Sequence, residues 1–154
     1  MEHAPTAEAP PALVARAIVV GASSGMGAAI VGELVAHGFR VPALARRGAE
    51  LEHLQAAHGR ERVLVRMHDV HATHEVPALF EELVRTLGGL DLLVYAAGIM
   101  PAVAPEEFDP ATDAEILAVN TVGCIAWCNP AAEHFRAKRA GTIVGISSIA
   151  GERG

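Results

Sequence analysis

The run Gly21-Ala-Ser-Ser-Gly-Met-Gly27 is the first place in this chain where residue type and spacing could do chemistry. It follows an apolar stretch, Ala17-Ile-Val-Val20, and precedes a stretch of helical spacing. A glycine-rich turn between strand and helix lets backbone approach a pyrophosphate closely. The helix start adds unpaired N–H groups and a partial positive charge. Gly21, Ser23, Ser24, Gly25, Met26 and Gly27 are therefore candidate phosphate-cradle residues. Gly27 would also let the helix pack close to the strand. A purely structural turn is the alternative, and the strand-turn-helix setting argues against it.

A second group ends the next apolar stretch, in Ala43-Leu-Ala-Arg-Arg47. A site for NAD places an acid here, to accept hydrogen bonds from the ribose hydroxyls. No acid is present. Two guanidiniums could instead hold a 2′-phosphate by charge-assisted bonds, Arg46 first and Arg47 second. The alternative is a solvated basic turn opening the next helix. These residues favour NADP over NAD.

Other clusters carry less. His68, His71 and His74 recur near Asp69, but a strand end and a helix start do not assure the tetrahedral geometry of a metal site. A solvated turn explains them, and no metal is expected. Cys124 and Cys128 would share a helix face as small buried hydrophobes, a metal or redox pair being the alternative. Trp127, with Cys124 and Phe135, fits an interface stripe as well as a core. Glu106, Glu107 and Asp109 read as a solvated loop.

The elements that must position these residues follow from hydropathy. Apolar runs at Ala17–Val20, Phe39–Leu44, Arg62–Met67, Leu90–Ala96 and Gly141–Ile146 read as five strands. Helical spacing covers Gly25–His37, Gly48–His58, Thr73–Leu87 and Thr112–Lys138, with Pro130 expected to kink or divide the last. Strands alternating with helices imply a parallel sheet with right-handed crossovers.

Composition agrees. Hydrophobic residues make up 51% of the 154 residues, and the mean hydropathy is +0.31. The longest apolar run, Leu92 to Pro105, is shorter than the ~20 residues a membrane helix needs. Strands covered on both faces explain the hydropathy instead. The net charge of −6 offers no basic face for nucleic acid. Residues 1–15, rich in alanine and proline, read as a disordered tail without a signal peptide. A cytoplasmic location is expected, and residues 16–154 read as one domain.

The spacing Gly-x-x-x-Gly-x-Gly resembles the classical short-chain dehydrogenase/reductase family. Four more segments fall in that family's order: Asp69-Val70 after the third strand, Tyr95-Ala-Ala-Gly98 at the end of the fourth, Asn120 within Val119-Asn-Thr-Val-Gly123, and Ile146-Ser-Ser-Ile-Ala-Gly151. The resemblance implies an α/β doubly wound parallel sheet of Rossmann type, about five strands in the order 3-2-1-4-5, incomplete at its C-terminal side. It implies that Asp69, with Val70, faces the adenine, and that Ala97 and Gly98 approach the cofactor through backbone. Ala96 and Ala97 carry none of the amides usual in the family's fourth-strand motif.

The resemblance also makes Ser148 and Asn120 catalytic. Ser148, rather than Ser147, would orient a carbonyl during hydride transfer between NADP(H) and a small carbonyl or alcohol substrate, and Asn120 would hold a water. The family's Tyr-x-x-x-Lys pair should lie further on than the six residues after Ser148, and the sole tyrosine, Tyr95, lies elsewhere. The chain is therefore expected to be truncated and inactive by itself. The alternative is a non-catalytic nucleotide-binding fragment or pseudoenzyme. A methyltransferase on the same sheet would carry an acid before the glycines, where this chain has Val20. A homo-oligomer through residues 112–138 is a further expectation from the family.

Overall fold

A computed structural model describes residues 14–148, apart from 103, 105 and 107. The expectations for residues 1–13, for Glu107 and for the end of the serine motif lie outside the described residues.

Five strands form one parallel sheet: β1 (Ala17–Val20), β2 (Val41–Ala45), β3 (Val63–Met67), β4 (Leu92–Tyr95) and β5 (Thr142–Gly145). Their order is β3-β2-β1-β4-β5, as expected. The crossovers are α1 (Gly25–Ala36), α2 (Gly48–His58), α3 (Val76–Leu87) and, before β5, α4 (Pro110–Leu117) and α5 (Gly123–Lys138).

Side chains alternate across β1, and each face feeds a separate core. Ile18 and Val20 join Phe80, Leu83, Trp127, Ala131 and Phe135 beneath α3 and α5. Ala17 and Val19 join Val31, Val41, Leu51 and Val63 beneath α1 and α2. This double covering accounts for the hydropathy. No helix among the described residues is long and apolar enough to cross a membrane.

Trp127 is fully buried in the first core, against Phe80 and His68, so it is not part of an interface stripe. His68 corrects the solvated-turn expectation: it is buried, and its ring nitrogens have no hydrogen-bond partner among the described residues. Burial holds its pKa below the ordinary histidine value. Pro130 does not divide the helix, for α5 runs through it from Gly123 to Lys138. The interruption comes earlier, as a π-helical turn at Ala118–Val122 in which Gly123 N–H bonds to the Ala118 carbonyl.

The edge of the sheet away from the strand C-termini is braced by charge. Arg16 donates to Asp91 from its backbone N–H, Nε and Nη2, while Lys138 Nζ reaches both Asp91 and the Leu90 carbonyl. One carboxylate thus ties the starts of β1 and β4 to the end of α5. Arg16, and then Lys138, hold the Asp91 carboxyl well below the usual carboxylate range.

Asp91→Asn should cost about 1 kcal/mol at pH 7, since the pair is partly exposed. The folded pKa lies below the unfolded one, so this contribution is full above about pH 4 and fades as pH falls towards the folded value. Urea midpoints of the two proteins should therefore converge in acid. A gap that persists unchanged at pH 3 would mean that charge is not its source.

Candidate functional site

The glycine-rich turn lies at the C-terminal end of β1, beside the end of β4. Gly21 takes a left-handed φ of +90°, and a Cβ there would overlap the Ala96 and Ala97 backbone. Its N–H donates to the Leu44 carbonyl at 2.8 Å, which pins the turn to β2. Gly27 lies so close to the Gly21 carbonyl that a side chain would displace it. The turn thus packs against the end of β4 at Gly21 and folds back on itself at Gly27, two contacts that only glycine permits.

Ser24 occupies the N-cap of α1 but makes no side-chain cap bond, and no acid stands in the first turn. Its hydroxyl accepts instead from Arg47 Nη2 at 2.5 Å, and Ser23 Oγ accepts from the same nitrogen at 2.9 Å. The helix start therefore keeps its partial positive charge without a neutralising side chain. Arg47 adds a full charge beside it. Arg46 makes no hydrogen bond among the described residues, but its charge helps depress the Asp69 pKa, behind the larger effect of the hydrogen bonds from His71.

These groups border an open cleft of about 470 Å³. Gly21, Ser23, Ser24, Met26 and Gly27 line one side, and Arg46, Arg47 and Val70 another. Ala97 and Gly98 close it from β4, with Ala96 and Ile99. Gly25, Asp69, Asn120 and Ser148 do not line it. Asp69 stands on the rim between His68 and Val70, both of which do. Ser148 is exposed, three residues past the end of β5.

Asn120 reaches the cleft through a neighbour. Its Oδ1 accepts from the Ile99 N–H at 2.8 Å, and its Nδ2 donates to the Ile99 carbonyl at 2.9 Å. The π turn carries this amide, and Tyr95 supports the same turn by donating its buried hydroxyl to the Val119 carbonyl at 2.6 Å. Burial, with the nearby Cys124 and Cys128, pushes the Tyr95 pKa up. Tyr95 is thus a buried packing residue whose hydroxyl is committed to the Val119 carbonyl. Asn120→Asp keeps the acceptor but sets oxygen lone pairs against the Ile99 carbonyl. It should cost about 1–2 kcal/mol and speed amide exchange at Ile99 roughly tenfold. The exchange penalty should shrink in acid, where the new carboxyl can donate; equal exchange in both proteins would show that the amide does not hold this segment.

Sequence reasoning missed one constellation. Asp69 Oδ1 accepts from His71 backbone N–H at 3.0 Å and lies 2.7 Å from His71 Nδ1, while His71 Nε2 lies 2.9 Å from Glu115 Oε2 of α4. The partners are 44 positions apart, and no periodicity signals such a pair. Among the described residues no three His, Cys, Asp or Glu side chains are grouped as metal ligands. Cys124 and Cys128 are free thiols with sulfurs 3.7 Å apart. Burial and the neighbouring thiol push Cys128 up to about 11, so it is a poor nucleophile at neutral pH.

A parallel sheet whose glycine turn sits where the strand order reverses, between β1 and β4, defines the doubly wound class. Within it the chain belongs to the short chain dehydrogenase family, whose profile matches residues 15–154. It is 34% identical over 145 residues to the 2-(R)-hydroxypropyl-CoM dehydrogenase of Xanthobacter autotrophicus, covering 87% of this chain and 56% of that protein. It is 36% identical over 143 residues to a cis-2,3-dihydrobiphenyl-2,3-diol dehydrogenase of a Pseudomonas species, covering 88% and 50%. A short-chain dehydrogenase from Streptomyces avermitilis superposes with a TM-score of 0.85 at 28% identity, over 92% of this chain and 52% of that one. The chain thus spans about half the length of the relatives it matches. The family comprises oxidoreductases that use NAD(P) and act on small molecules.

Proposed function

We propose that residues 16–154 are the NADP(H)-binding part of an oxidoreductase that interconverts a small carbonyl compound and an alcohol. The observation that carries the cofactor choice is the end of β2. Two arginines and no acid stand there: Arg46 lines the cleft without a hydrogen bond among the described residues, while Arg47 braces the turn through the Ser23 and Ser24 hydroxyls. A guanidinium so placed suits a phosphate dianion. The turn from Gly21 to Gly27 would cradle the pyrophosphate, because a Cβ at Gly21 or Gly27 would fill the space backbone needs there. Gly25 and Met26 would open the helix towards it. Asp69 and Val70 would border the adenine, and Ala97 with Gly98 would approach the cofactor through backbone.

The bound cofactor would supply or accept the hydride. Ser148 would donate a hydrogen bond to the substrate oxygen as charge grows on it. Asn120 would hold the segment after β4 and carry a water of the proton path. Leu117, Val122 and Ile125 are exposed apolar residues of the 112–138 region and support self-association through it. Two free thiols suit a reducing, cytoplasmic setting.

A second reading concerns a polypeptide of these 154 residues by itself: a nucleotide-binding unit without turnover. These 154 residues contain no Tyr-x-x-x-Lys, and Tyr95 is buried and committed to Val119. A polypeptide of these residues should therefore bind NADP⁺ at least about tenfold more tightly than NAD⁺ by calorimetry. It should consume no NADPH with a panel of ketones and aldehydes. Equal affinity for the two dinucleotides would refute the cofactor assignment, and turnover abolished by Ser148→Ala would refute the second reading.

A further inference from the structure

His71 is engaged on both ring nitrogens, and both partners are carboxylates. Nδ1 lies 2.7 Å from Asp69 Oδ1, and Nε2 lies 2.9 Å from Glu115 Oε2. An ionised carboxylate only accepts, and a neutral imidazole has only one N–H. Both contacts are satisfied together only by the imidazolium. Among the described residues no other charged group bonds to the His71 ring. Arg46 acts on Asp69 from the β2 side. Glu75 pairs with His68 at 3.7 Å and with His74 at 4.0 Å.

The two carboxylates belong to different parts of the molecule. Asp69 stands on the cleft rim, and its Oδ2 accepts no hydrogen bond among the described residues. Glu115 lies on α4, where it lines a second hollow of about 640 Å³ with Ile99, Met100, Pro101, Ala111 and Thr112. Ile99 is also the residue that Asn120 grips, and it borders both hollows. A bridge through one imidazole therefore connects the cofactor cleft to the helix that walls its neighbour.

We propose that His71 is a positioning residue: as imidazolium it clamps Asp69 to Glu115, which presents Asp69 Oδ2 to the adenine and fixes α4 against the cleft. This rests on the cofactor reading above. The two carboxylates raise the His71 pKa above its ordinary value, the Asp69 bond contributing most. The clamp is closed below that raised pKa and opens as pH rises through it. Cofactor affinity then falls on the alkaline side, and bound cofactor raises the His71 pKa in return. The pairs are partly exposed, so the effect is modest, about threefold to tenfold.

The test is calorimetry of NADP⁺ between pH 6 and 9.5 on the chain, on His71→Gln and on Glu115→Gln. Ionisation of the 2′-phosphate changes affinity in all three alike, so the ratio of dissociation constants is the quantity to follow. His71→Gln should bind about fivefold more weakly than wild type near pH 6.5 and equally well at pH 9.5. Glu115→Gln should move the wild-type midpoint to lower pH. A ratio independent of pH would overturn the proposal. Proton NMR of the His71 ring reads the clamp without nucleotide: a midpoint above 6.5 that falls in Glu115→Gln supports it, and an ordinary midpoint indifferent to Glu115 overturns it. If NADP⁺ binds to none of the proteins at any pH, the cofactor reading fails and takes the adenine role with it, whereas binding with superimposable pH profiles rejects His71 alone.

Discussion

Arg46→Asp is expected to lower the ratio of NADPH to NADH affinity by about 10- to 100-fold. Losing one charge-assisted bond to a phosphate accounts for about tenfold or more. The new carboxylate adds repulsion against the 2′-phosphate and offers an acceptor to the ribose hydroxyls of NADH, so both sides of the ratio move. Arg47→Ala should behave differently. Arg47 braces the turn through Ser23 and Ser24 and lies 3.9 Å from Glu50, so its removal loosens a cradle that both cofactors share. Both affinities should fall by roughly threefold to tenfold, with less change in their ratio. Calorimetric titration of both variants with both nucleotides separates the two roles. An unaltered ratio in Arg46→Asp would transfer 2′-phosphate recognition to Arg47 or remove it from this turn.

The second large effect should come from one methyl group. In an ordinary helix, Gly→Ala stabilises by about 1 kcal/mol. Gly27→Ala should reverse that sign. The added Cβ would meet the Gly21 carbonyl and the Ala22 backbone, and backbone cannot move aside as a flexible side chain does. Overpacking of this kind costs about 1–3 kcal/mol, which outweighs the propensity gain. The displaced Gly21 carbonyl belongs to the turn that would hold the pyrophosphate, so nucleotide affinity should drop at least about tenfold with it. Gly32→Ala is the control in the same helix. Its Cβ would meet only the edge of the half-buried His58 ring, a side chain that can shift, at 3.3 Å, so stability should stay within about 0.5 kcal/mol of wild type. If Gly27→Ala melted no lower than Gly32→Ala in urea, the close turn would not be a constraint of the folded protein.

The strand order came only through the resemblance to the family, whereas strand number was legible because each strand is a short apolar run between turn residues, and runs leave a mark in the linear order of residues. The same holds for the glycine turn and the arginine pair, whose members lie within a few positions of each other. Helix α3 was legible for the same reason, with Val76, Phe80, Leu83 and Leu87 buried at helical spacing. The last crossover was not. Pro130 carried the only visible signal for a break, yet the chain breaks its α-helical register at Ala118–Val122. That turn is held by contacts with other elements: Tyr95 of β4 on the Val119 carbonyl, and Asn120 on Ile99. Local propensity does not contain them.

Charge and burial divide in the same way. By itself the sequence determined the alternation of strands with helices, the place of the glycine turn and the absence of an acid at the end of β2, because these are properties of neighbouring residues. Only the tertiary structure decided that His68 is buried, that Trp127 is core, and that Asp91 joins Arg16 to Lys138 across 75 and 47 positions. Only it brought Glu115 to His71. A hydrophobic face repeats with the period of its helix or strand and can be read from one segment; a polar contact is a single meeting of two segments, and its partner is chosen by how the elements pack.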